Sequence, residues 1–158
     1  MADFPVTIND DRVSPLSNQE KANIGFSHKF SIPYTDLTAT GATGASDTVT
    51  FTLGSTPTKW FVEKAMANVT TAFAGTTALT LVVGTTSDTD GFITSASVLT
   101  AGILGNAGFD PATVTSCSGT TSVGLRAVFT NATGGSPSAL TAGNVNIYLN
   151  LQDAAQLP

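Results

Sequence analysis

Chemistry that needs a base, a nucleophile or a metal has few residues to work with here. His28 is the one histidine and Cys117 the one cysteine. Any Ser-His-Asp or Cys-His arrangement must use His28, which stands beside Lys29 at the start of an apolar alternation, and no Gly-x-Ser-x-Gly context supports a nucleophile. One His and one Cys do not make a zinc ligand set, so no metal and no cofactor are expected. Asp88-Thr89-Asp90-Gly91 matches part of a calcium loop, yet Thr86 stands where a further ligand is needed and Thr94 to Leu99 contain no acid. A turn is the expected structure there, with a weak calcium site completed by a distant carboxylate as the alternative. Nothing pairs the eleven acidic residues for glycoside hydrolysis. Asn68-Val69-Thr70 and Asn131-Ala132-Thr133 fit the glycosylation acceptor pattern, which recurs by chance in a Thr-rich chain. No catalytic residue is expected, and the chain reads as a non-enzymatic protein.

The elements that would have to position any site are strands. At 158 residues and 16.0 kDa the chain suffices for one hydrophobic core. Charged residues are only 11% of it, so hydroxyls, amides and backbone must cover much of the surface. Thr, with its branched Cβ, suits a pleated surface, and 15 Gly and 7 Pro punctuate short segments. The expectation is an all-β single domain, a β-sandwich or jelly roll of about 7 to 9 strands with an extended N-terminal arm.

A net charge of −5 with six Lys and Arg argues against a nucleic-acid partner. No apolar run approaches the ~20 residues of a membrane helix, and MADFPVTINDDR lacks the regions of a signal peptide, so no membrane partner is expected. A lone Cys117 agrees with synthesis in a reducing compartment.

Residues 1–27 carry Asp3, Asp10, Asp11, Arg12, Glu20 and Lys21, with Pro5 and Pro15 interrupting regular structure. They read as an arm that either frays or orders on a neighbour, and the alternating Phe4, Val6 and Ile8 suit strand addition to another sheet. The domain proper is placed at 28–158. Phe30, Ile32 and Tyr34 share one strand face; Val49, Phe51 and Leu53 share another, with Thr48, Thr50 and Thr52 opposite. The tract between these runs, TATGATGAS, either spans two sheets or lies against a neighbouring subunit. KWFVEKAMANVTTAF is apolar on both parities, which predicts a strand buried on two sides or passing into an interface, a short helix being the weaker choice. ALTLVVG, SVGLRAVFT and NVNIYLNLQD read as strands, the last alternating Val145, Ile147, Leu149 and Leu151 with Asn144, Asn146, Tyr148 and Asn150. Residues 92–119 read as a long excursion with one short helical turn or strand, and TNATGGSPSALTAG as a connection too small-sided to pack much.

The phrases FSIPYTDLTA, TVTFTL, VTTAFAGTTALTLVVG and TDGFITSASVLTAG, in that order over residues 28–104, resemble a group of small tailed-bacteriophage virion proteins. The resemblance implies a structural component of the phage particle. A capsid decoration or cement protein is the first expectation; a head-fibre or tail-associated receptor- or carbohydrate-binding module is the alternative. It also implies a homotrimer on the capsid surface, made in the bacterial host cytoplasm, with the major capsid protein as partner. Phe4, Val6, Ile8, Arg12 and Trp60 are the residues expected at the interface with the capsid or a neighbouring subunit. The charged arm and the Lys59-Trp60 pair depart from the group's pattern.

Overall fold

A computed structural model of the chain describes residues 13–15, 17, 25–44, 47–104 and 122–153. Among these are nine strands: β1 (Val13–Pro15), β2 (His28–Pro33), β3 (Thr48–Thr56), β4 (Trp60–Ala74), β5 (Ala78–Thr85), β6 (Ile93–Ser97), β7 (Gly102–Leu104), β8 (Val123–Thr133) and β9 (Ala142–Asp153). They form a five-stranded sheet in the order β1-β2-β9-β4-β7 and a four-stranded sheet in the order β3-β8-β5-β6.

Eight strands obey a single nesting rule. β2 pairs with β9, β3 with β8, β4 with β7 and β5 with β6, every pair antiparallel. The chain from β2 to β9 is therefore one long hairpin, folded at the β5–β6 connection, whose successive nested pairs fall alternately in the two sheets. Rolling the hairpin brings β9 beside β4 and β8 beside β5. This is the jelly-roll form of the β-sandwich. β1 lies outside the rule and adds to the edge of β2, with Val13 opposite Phe30 and Pro15 opposite His28.

Period-2 alternation places the core between the sheets. Phe30 and Ile32 from β2, Val145, Ile147, Leu149 and Leu151 from β9, and Leu79, Leu81 and Val83 from β5 are all buried. Phe129 of β8 meets Phe51 edge-on with ring centres 5.8 Å apart. Phe73 tilts against the same ring, also at 5.8 Å, so three rings from two sheets interlock.

β4 resolves the ambiguity of its two apolar parities. Val62, Ala65, Ala67, Val69 and Phe73 face the core, and the pairing with β9 shifts between Val62 and Lys64, between Val69 and Thr71, and between Thr71 and Ala74. Each irregularity inserts residues that change the phase of the alternation. One inward face thus reads in sequence as two.

Two expectations are corrected. Tyr34 does not continue the β2 strand: Tyr34–Ala39 is a short α-helix, α1, entered from Pro33 and ended at Thr40 and Gly41, where Gly41 has φ +69°. Proline before a helix and a left-handed glycine after it are ordinary boundary residues, and Thr38 and Thr40 donate hydroxyls back to the carbonyls of Thr35 and Leu37. Leu37, fully buried, anchors α1 on the core. The connection from β8 to β9 also packs more than its small side chains suggest. It holds a 3-10 helix, Pro137–Ala139, with Pro137 and Leu140 buried. The Ser138 N–H donates to the carbonyl of Ala42 at 3.0 Å, so this connection meets the first part of the Thr/Ala/Gly tract, just after α1.

Candidate interaction faces

Residues with chemical potential come first. His28 is buried on the inward side of β2. Its Nδ1 lies 2.8 Å from the Ser27 hydroxyl oxygen. That oxygen also accepts the Leu151 N–H at 2.9 Å and donates to the Leu149 carbonyl at 3.1 Å. The Ser27 hydroxyl thus lies within hydrogen-bond reach of two backbone groups of β9 and of the imidazole at once. These contacts seat the start of β2 on β9.

The Asp88 segment is the expected turn. The Thr85 N–H donates to the Asp88 carbonyl at 2.6 Å, and the Asp88 N–H donates back to the Thr85 hydroxyl at 3.0 Å. Among the described residues no three His, Cys, Asp or Glu side chains are grouped to hold a metal ion. Asn131 is wholly buried at the end of β8, and Asn68 lies within β4, paired with Asn146 on one side and Ile103 on the other. Neither acceptor-pattern asparagine stands on a projecting loop.

What the sandwich presents outward is two polar faces. On the four-stranded sheet, exposed Thr48, Thr50 and Thr52 of β3 lie opposite Thr130, Val128 and Arg126 of β8. Thr80 and Val82 of β5 continue the rows beyond Thr130 and Val128. Arg126 is the one charge in these rows. On the five-stranded sheet, the residues that alternate with the buried ones are Lys29 and Ser31 of β2, Asn144, Asn146, Tyr148 and Asn150 of β9, and Lys64, Met66 and Asn68 of β4. They align across the strands as Lys29–Tyr148–Met66 and as Ser31–Asn146–Asn68–Ile103.

Hydrogen bonds fasten the two ends of this second face. Asn144 donates its amide to the Thr70 hydroxyl at 2.7 Å and accepts from the Ser31 hydroxyl at 3.3 Å. Asn150 donates to the Glu63 carboxylate, which Gln152 also reaches at 3.3 Å. Phe26 lies against Tyr148 with ring centres 5.9 Å apart, and the Lys64 ammonium stands 5.1 Å from the Phe26 ring centre. The centre differs from the ends. Asn146 is only 8% exposed, and its Oδ1 has no hydrogen-bond donor among the described residues. Nearby on the same face Ile103 is 68% exposed, the one large hydrophobic residue among those described that stands out in this way.

Of the interface residues expected from sequence, Phe4, Val6, Ile8 and Arg12 lie outside the described residues. Trp60 opens β4 opposite Asp153, partly buried and packed against the core. Sequence alone does not bring Asn68, Ile103 and Asn146 together. The alternation of β9 identifies its outward asparagines, but nothing in one dimension says that β4 and β7 set Asn68 and Ile103 beside Asn146.

Comparison with protein-family models, with curated proteins and with solved structures returned no match to this chain.

Proposed function

We propose that this chain is a non-enzymatic structural protein of a bacteriophage particle, a capsid decoration or cement protein. It associates with its own copies as a homotrimer and binds the major capsid protein on the capsid surface, the N-terminal segment bearing Phe4, Val6, Ile8 and Arg12 making the clamp. The observation that carries this reading is a sandwich filled with apolar side chains whose two outer faces are laid out in hydroxyl and amide rows with few charges. Such faces suit close, hydrated packing against protein. The ordered phrases of residues 28–104 point the same way, and jelly rolls serve widely as capsid domains, a fold-level analogy.

A protein that binds only the assembled shell stabilises it by mass action. The test is co-sedimentation of the purified chain with particles lacking it, followed by thermal challenge of the particles. The full chain is expected to bind and to raise the temperature at which particles release their contents. A chain lacking residues 1–12, which keeps β1, is expected to bind weakly. Undiminished binding by the shortened chain would remove the clamp, and no binding by the full chain would remove the decoration role.

A further inference from the structure

We infer that the outer face of the five-stranded sheet, centred on Asn146, is the surface through which copies of this chain associate. The inference deepens the self-association in the reading above by naming the surface that makes it.

Three observations lead there. Asn146 is a buried amide whose Oδ1 lacks a donor among the described residues, and leaving a buried acceptor unpaired is costly. Rotation about its terminal bond turns either the oxygen or the NH2 outward, and the asparagines of a second copy offer the complementary group to each. In a trimer each such amide can accept from one neighbouring copy and donate to the other, so the same asparagines serve both contacts. The row through Asn146, from Ser31 to the mostly exposed Ile103, is apolar, hydroxyl and amide with no charge, and the next row sets the half-buried Tyr148 and Met66 in register with Lys29. Lys29, Lys64 and Glu63 lie toward one end. Uncharged centres with polar margins are the ordinary anatomy of protein interfaces.

Charge and area favour a second copy as the occupant. The whole chain carries −5, so two copies repel through most orientations. This face brings together two lysines against one glutamate. That balance is opposite in sign to the chain as a whole, so a second copy is not repelled here; the four-stranded face, with Arg126 alone, shares this, and it is Asn146 and Ile103 that single out the five-stranded face. β9 runs 12 residues and the sheet has five strands. The five strands run 3, 6, 12, 15 and 3 residues across the sheet, and at ~3.3 Å per residue and ~4.8 Å between strands they cover on the order of 600 Å², the low end of what each partner contributes to a stable interface.

The experiment is the solution mass of the full-length chain by sedimentation equilibrium, for wild type, Ile103→Arg, Asn68→Arg, and Thr50→Arg on the opposite sheet as control. Circular dichroism and melting check that each variant is folded. Wild type and Thr50→Arg are expected to be oligomers, with Ile103→Arg and Asn68→Arg folded and at least tenfold weaker in association. A monomeric wild type, or oligomers that survive both arginines, overturns the inference. Particle binding measured on the same proteins separates the two ideas: an oligomer that dissociates through this face yet never binds particles refutes the decoration role and leaves the face intact.

Discussion

Thr76 Oγ1 donates to Asn131 Oδ1 at 2.5 Å. The bond ties the turn between β4 and β5 to the end of β8, and the Asn131 amide also donates to the Gly135 carbonyl at 2.8 Å. One fully buried side chain thus holds together two connections that close the same end of the roll. Asn131→Ala leaves the Thr76 hydroxyl and the Gly135 carbonyl without this partner. It is expected to lower unfolding stability by about 1–3 kcal/mol in urea denaturation.

Gly143 sits at the start of β9 with φ +140°, and a Cβ there would run into the ring of Phe73. Backbone strain and displacement of a buried aromatic ring act together at this position. Gly143→Ala is expected to destabilise the fold by at least about 2 kcal/mol, read as a drop in urea midpoint with an unchanged slope.

Lys59 is the one residue other than glycine with positive φ among those described, at +68°. It ends the turn that carries the chain from β3 in one sheet to β4 in the other, where the Trp60 N–H donates to the Pro57 carbonyl at 3.2 Å. Its side chain is exposed, so conformation decides the outcome. Lys59→Gly is expected to leave stability unchanged or raise it by up to about 1 kcal/mol, and Lys59→Val to lower it by about 1–2 kcal/mol. Thermal melting of the two variants checks both signs.

Ser27 serves three partners at once, the Leu149 carbonyl, the Leu151 N–H and His28 Nδ1. Ser27→Ala is expected to cost about 1–3 kcal/mol through the buried groups it strands. Amide hydrogen exchange is expected to quicken at Leu151 before it does so in β8.

Much of the architecture is legible in the sequence, and the reasons differ by segment. β9 is readable because four apolar residues alternate with polar ones over an uninterrupted run. β4 is readable as a strand but not by face, since its irregularities change the phase of the alternation and only the partner strand reveals them. α1 escapes notice because six residues are too few to display a helical period, and its boundary residues, Pro33 and Gly41, also read as ordinary turn signals. β6 and β7 are short and mostly exposed, so little apolar pattern marks them. The nesting of strand pairs is a property of long-range contacts, which no local pattern encodes. For the same reason the row Ser31–Asn146–Asn68–Ile103, drawn from four strands, becomes visible only in three dimensions.

The virion assignment is tested most directly by quantitative mass spectrometry of purified particles produced from the genome that encodes this chain. A decoration role predicts the chain in every preparation, at a copy number in fixed proportion to the major capsid protein, and retained through density-gradient purification. Its absence from purified particles, with the chain recovered only from the soluble lysate, would contradict it.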